Sequence, residues 1–205
     1  MVGTSLSKKS NIDRMDKQLV PRKVFYNPIY RDKVTVLKSA SETGGLYSLG
    51  ELEVSPGGGN SMHTHSAFEE TFTAVKGELG VMLRGKLYSL RPGESITVPR
   101  NTPHHFLNRS GETIVCQIRF VPGHEDFVKG LAIGYGLATD GKTTKKGMPK
   151  SLTHLAMLMV LTDTQPSGML RYIFPVFKWL AARAKRDGTQ QSLLEKYYYL
   201  KSDRN

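Results

Sequence analysis

The sequence is short of several things, and each shortage removes a class of protein. One cysteine, Cys116, stands among 205 residues. That excludes an intramolecular disulfide and any zinc site built from several thiolates. The longest uninterrupted apolar run, Leu155 to Leu161, is far too short to span a bilayer. The N-terminal MVGTSLSKKSN has no apolar core of a secretory signal, so a soluble, cytoplasmic protein is expected. Acidic residues are scarce relative to basic ones, 18 against 29, giving a formal net charge of +11. Such a charge raises nucleic acid or an anionic membrane as a partner. Its distribution argues otherwise. Residues 1–33 carry a net +5 and residues 141–205 a net +8, whereas residues 34–140 carry −2. A hydrophobic content of 39% is enough to bury a core.

The chain reads as three segments: an N-terminal arm over 1–29, a β-rich body over 30–122 and a helical extension over 123–205. Residues 1–22 are polar and without periodicity, the pattern of a mobile arm. From Lys23 onward come short β-type runs: KVFYN, KVTVLK, LYSLGELEV, ETFTAV, ELGVML, KLYSL, ESITVP, HHFLN and ETIVCQIRFV. Turn signals such as Pro56-Gly57-Gly58-Gly59, Arg84-Gly85 and Pro92-Gly93 separate most of them. Many short strands at regular spacing predict an antiparallel sandwich or barrel.

Beyond Pro122-Gly123 the period changes. Phe127, Leu131, Tyr135 and Ala138 recur at helical spacing behind Glu125 and Asp126, and Gly141 is placed to end that helix. Ser151 is a candidate N-cap for Leu152–Leu161. Leu170, Ile173, Phe174, Phe177, Leu180, Ala181 and Ala184 share a third stripe, in which Pro175 should kink the helix or mark its start. A last short helix is expected over Ser192–Leu200. The extension is expected to pack on the barrel or on a partner subunit; a membrane-surface role for its Phe174, Phe177 and Trp179 is the weaker reading. Gly130 and Gly134 would let the first helix approach a sheet closely.

The chemistry lies in the body. His63 and His65 alternate on a strand, so both rings can point to one face. Glu70 follows five residues after His65, and Gly77 closes that strand. After one hairpin comes GESITVPRNTPHHFLN, residues 93–108, with Pro99, His104 and Asn108, and with Asn101 where a turn needs positive φ. Three inward histidines without a ligand would be costly to bury. Imidazole suits Zn, Cu, Fe and Ni, and a carboxylate brings in Mn. Glu69 is the alternative to Glu70, disfavoured by its distance to Gly77. His105 should point away from His104. His124 and His154 fall outside the pattern, as surface or packing residues. Asn108 reads as a structural hydrogen-bonding residue, and Cys116 as a small buried hydrophobe.

These two stretches resemble the two motifs of the cupin superfamily. Gly57, His63, His65, Glu70 and Gly77 fill the first, and Gly93, Pro99, His104 and Asn108 fill the second. Asn101 stands where the family has glycine. The resemblance, extended by the flanking strands to about residues 30–122, implies a mainly β fold: a double-stranded β-helix, or jelly-roll, barrel of RmlC-like type, here with a C-terminal α-helical extension. It implies that His63, His65, Glu70 and His104 bind one divalent transition metal, with Fe or Mn favoured and Zn, Ni or Cu open. It also implies a dimer formed through barrel strands.

Phe72, Ala74 and Phe106 share the alternation of the ligands and are candidate pocket walls. Arg119 joins them if its face of the strand points inward, although an apolar inward face from Cys116 and Ile118 is favoured. Glu70 is a candidate proton shuttle. Two function classes follow: a metal-dependent enzyme of dioxygenase type acting on a small molecule, and a non-catalytic small-molecule sensor. Nucleic acid is a disfavoured partner, since no helix-turn-helix signature is present.

Overall fold

The computed structural model describes residues 22–165 and 172–199. The polar arm over 1–21, Leu170 and Leu200 lie outside the described residues.

Nine antiparallel strands form the body: β1 (Val24–Asn27), β2 (Asp32–Lys38), β3 (Ser48–Val54), β4 (Glu69–Lys76), β5 (Leu79–Leu83), β6 (Lys86–Leu90), β7 (Ser95–Val98), β8 (His104–Leu107) and β9 (Ile114–Val121). One sheet has the order β1-β2-β3-β9-β4-β7, the other β6-β5-β8. β1, which precedes residue 30, pairs along its length with β2. Each β-type run of the sequence thus supplies one strand. The reason is visible in β4, where Glu70, Phe72 and Ala74 are buried. Thr71 and Thr73, on its other face, bond across to Thr97 and Ser95 at 2.9 and 2.8 Å. The β5–β6 hairpin turns on Arg84 and Gly85, both at positive φ (51° and 80°), as a two-residue turn matched to strand twist requires.

The inner faces of the two sheets make one core from Leu52, Val54, Phe72, Ala74, Leu79, Val81, Ile114 and Cys116. Each is at most 1% exposed. A fully buried Val, Leu, Ile or Phe contributes roughly 1.5–3 kcal/mol, so this cluster is the main stabiliser of the sandwich. Burial pushes the Cys116 thiol up to about 12.

The extension contains α1 (Glu125–Thr139), α2 (Leu152–Leu161), α3 (Phe174–Arg186) and α4 (Thr189–Leu194), the last running into a π-helical turn at Glu195–Tyr199. His124 caps α1 by accepting the Phe127 N–H on Nδ1 at 3.2 Å. Gly141, at φ +66°, ends it: the Gly141 and Lys142 N–H groups bond to the carbonyls of Ala138 and Leu137. Ser151 caps α2. Pro175 lies in the first turn of α3 and so marks its start rather than a kink.

α1 packs on β1, and α3 packs on α2 and α4. Gly130 and Gly134 serve a helix rather than the expected sheet: a Cβ on Gly130 would stand 2.6 Å from Thr162 Cγ2 and one on Gly134 3.4 Å from Leu158 Cδ1, both on the α2 side. The spacing of two small residues announces a close approach but does not say to what. Among the described residues no helix is long and apolar enough to cross a membrane.

Candidate metal centre

Three pieces of backbone meet at one end of the sandwich. An irregular strand before β4 carries His63 and His65, β4 carries Glu70 from one sheet, and β8 carries His104 from the other. His63 and His104 face each other in a β-bridge, with N–H to carbonyl bonds of 3.0 Å in both directions. The turn at Pro99–Thr102 is tied to the same place, since the Asn101 N–H, on a residue at φ +59°, donates to the His65 carbonyl at 2.6 Å.

One donor atom from each of His63, His65, Glu70 and His104 lies within 4.8 Å of the others. His65, Glu70 and His104 are buried; His63 keeps part of its surface in solvent. The three rings share a further feature. His63 Nδ1 faces the Ser61 carbonyl at 2.8 Å, His65 Nδ1 the Asp163 carbonyl at 3.1 Å, and His104 Nδ1 the Thr102 carbonyl at 2.8 Å. A carbonyl can only accept, so each Nδ1 is the donor and each Nε2 is directed toward the centre, with its lone pair free on His63 and His65. This is the outer-shell device that presets imidazole for metal binding.

Glu70 Oε2 lies 2.7 Å from His104 Nε2 and 3.8 Å from His65 Nε2. Burial, followed by repulsion from the neighbouring imidazoles, pushes His63 down to about 3, and burial followed by His104 pushes His65 down to about 4. Burial also lowers His104, but its hydrogen bond to Glu70 and the charge of that carboxylate outweigh it, leaving its pKa raised. The protein alone therefore holds His63 and His65 as neutral imidazoles, with His104 Nε2 in hydrogen-bond contact with Glu70. Neutral imidazoles around a carboxylate are a donor set that fits a divalent transition metal.

Glu69 is exposed on the other face of β4, and His105 turns away from the cluster at partial burial. His124 caps α1, and His154 stands on α2. Asn108 is structural: its amide donates to the carbonyls of Val54 and Glu112, and its Oδ1 accepts from the Ser110 N–H and hydroxyl.

A cavity of about 470 Å³ opens from the cluster between the large sheet and the helices, and His63, His65 and Glu70 line it. Of the four expected pocket walls, Phe106 lines it. Phe72 and Ala74 pack beneath it in the sandwich core, the Phe72 ring 6.2 Å from that of His104. Arg119 corrects the expectation: it is exposed, with its guanidinium 4.7 Å from the Tyr47 ring centre, on the face of β9 opposite Ile118 and Phe120. Period-two alternation allows only one set inward, and the apolar set is there.

Two features of the site were not read from the sequence. Phe68, Phe120 and Phe127 stack beside His65, with ring centres 4.5 Å apart for Phe68–Phe120 and for Phe120–Phe127. Phe120 continues the alternation of Ile114, Cys116 and Ile118, which is the trace that would have exposed it. Asp163, just after α2 and at φ +48°, is the second. Besides its carbonyl on His65, its carboxylate accepts from the Ser66 and Ala67 N–H groups at 2.5 and 2.6 Å and from the Ser66 hydroxyl. Burial would raise its pKa, but these hydrogen bonds hold it below the usual carboxylate range. Gln165 then pairs with Thr64 in a β-bridge. The extension is thereby bonded to the strand that carries two of the histidines.

Residues 50–118 match the family model described as "Cupin domain". The chain is similar to quercetin 2,3-dioxygenase of Bacillus subtilis (strain 168), 29% identical over 83 residues. That stretch is 40% of this chain and 25% of the enzyme, so the chain spans about a quarter of the length of the curated relative it matches. Among solved structures, an RmlC-like cupin from Shewanella frigidimarina NCIMB 400 superposes with a TM-score of 0.44 at 19% identity, over 52% of this chain and 89% of that one. The polyketide cyclase RemF from Streptomyces resistomycificus superposes with a TM-score of 0.41 at 28% identity, over 44% and 65%.

Proposed function

Because the chain carries a cupin domain, we propose that it is a metal-dependent oxidoreductase of dioxygenase type, acting on a small molecule bound beside His63, His65, Glu70 and His104. The observation that carries this reading is the convergence of three imidazole Nε2 atoms, each oriented by a carbonyl on its Nδ1, with one carboxylate at the wall of a cavity. A divalent ion held by these four residues, with Fe or Mn favoured, would polarise a substrate oxygen and, where redox-active, supply the electronic route for O₂ chemistry.

The side chains do the rest. His63 and His65 stay neutral at physiological pH and so remain donors. Glu70 lines the cavity and is placed to take a proton from an incoming hydroxyl on its carboxylate. Phe106 walls the substrate side, and Phe68, Phe120 and Phe127 exclude water around His65.

The test is removal and restoration of metal while following dioxygen consumption with phenolic and enediol substrates. Turnover that disappears with the metal and returns with Fe or Mn supports the reading. Tight ligand binding without turnover under every metal would replace it with the sensor function.

A further inference from the structure

The cavity beside the cluster is built by two parts of the chain. Its floor comes from the large sheet, through Val36, Leu52 and Ile118, and its roof from α1 and α2, through Leu131, Leu158 and Met159. The roof lies wholly outside the stretch that matches the cupin domain, residues 50–118. Its volume, about 470 Å³, falls within the range of small-molecule sites, roughly 300–1,000 Å³.

The chemistry of the lining is restrictive. The one cationic side chain among the described lining residues is Lys38, which is exposed at the rim and lies 3.8 Å from Glu42. The acidic ones are Glu51 and Glu70. A phosphate or carboxylate in the body of the chamber, away from the cluster, would therefore find no counter-charge among the described lining side chains, and burying it there would be costly.

Polar atoms at the wall are also engaged elsewhere. Asn60 Oδ1 accepts the Phe106 N–H, the Thr162 hydroxyl donates to the Leu158 carbonyl, the Tyr135 hydroxyl donates to Asp32, and the Gln165 amide donates to Ser66. A polyol would exchange its water hydrogen bonds for few protein ones.

Resting on the metal-site reading above, we propose that the ligand of this site is an uncharged molecule with an oxygen-bearing end directed at the cluster and an apolar body enclosed beneath α1 and α2. The helical extension is then the specificity element, and the apolar roof it builds excludes sugar phosphates, whose polar and charged body would lie beneath it.

The test uses the full chain with metal stripped, so that the chamber is read without the reaction. The neutral fluorophore N-phenyl-1-naphthylamine is expected to bind saturably. Naphthalene-2,3-diol should displace it, and fructose 6-phosphate should not. Leu131→Trp and, from the opposite helix, Leu158→Trp should each weaken binding of the fluorophore by roughly tenfold or more, the scale of misfit in a hydrophobic pocket.

Absence of saturable binding to the wild-type chain, or equal displacement by the sugar phosphate, overturns the proposal whether or not either variant folds. Unchanged affinity in both folded variants also overturns it. Metal restoration then separates the two readings: diol binding that persists without dioxygen consumption leaves the ligand class standing and removes the oxidoreductase.

Discussion

His63, His65 and His104 each commit one ring nitrogen to a backbone carbonyl, so which nitrogen faces the centre is settled before any ion arrives. Replacing one ring removes a donor that the others cannot supply. His104→Ala is expected to lower metal affinity by more than the roughly 10–100-fold typical of an outer-shell loss, read by elemental analysis and metal titration; unchanged metal content would remove the site. Asp32 makes a second, independent case. It is 2% exposed, its Oδ2 accepts the Tyr135 hydroxyl at 2.9 Å, and its Oδ1 has no partner among the described residues. Burial pushes its pKa up to about 7 against the opposing effect of Tyr135. The folded chain therefore keeps a proton that an unfolded one releases near 3.9. This contribution to stability is fully present below about pH 4 and is lost as pH rises through about 7. Asp32→Asn removes the titration, so its stability relative to wild type should rise between pH 4 and 7 and level off above. Urea midpoints at pH 5 and pH 8 check this, and an equal difference at both contradicts it.

At the scale of elements, the segment just after α2 works as a strap. Asp163 and Gln165 bond to Thr64, Ser66 and Ala67 around His65. Asp163→Ala removes the charged acceptor from two buried-side N–H groups and is expected to cost about 1–3 kcal/mol. It should also weaken metal binding within the outer-shell range of about 10–100-fold. Asp163→Asn keeps an acceptor and a residue tolerant of positive φ, and should recover part of both. Thermal unfolding and metal titration of the pair decide; equal metal affinity in all three proteins would show that the strap does not orient His65. This segment also marks where sequence reading ends. The nine strands were legible because period-two alternation and glycine turns are local. The four donors were legible because two spaced motifs place them. Asp163 lies 98 residues from His65, and no local pattern connects them. Gly130 and Gly134 announced a close approach, yet its partner, α2, depended on how the helices fold back. Arg119 was open to either face because alternation gives two sets and leaves the choice to packing.

For the molecule as a whole, sandwich and extension share the centre: its three carbonyl anchors come from Ser61, Thr102 and Asp163. An ion bound there should therefore stabilise both parts together. Stripping it is expected to lower the unfolding temperature in one transition, and restoring it at about 100 times its dissociation constant should return roughly 2.7 kcal/mol. Scanning calorimetry would show this, and an unfolding temperature indifferent to every divalent metal tried would contradict it. Part of the basic excess is accounted for locally, since Arg183, Lys185 and Arg186 lie in the last turn of α3, where positive charge complements the helix dipole. The single cysteine has a practical consequence of its own. Cys116 is fully enclosed in the sandwich core and its thiol is held at about 12. While the core stays shut, a thiol reagent at pH 8 should find almost nothing to modify. Each labelling event is then a record that the sheets have parted, and the rate of labelling is a clock for sandwich opening that needs no introduced probe.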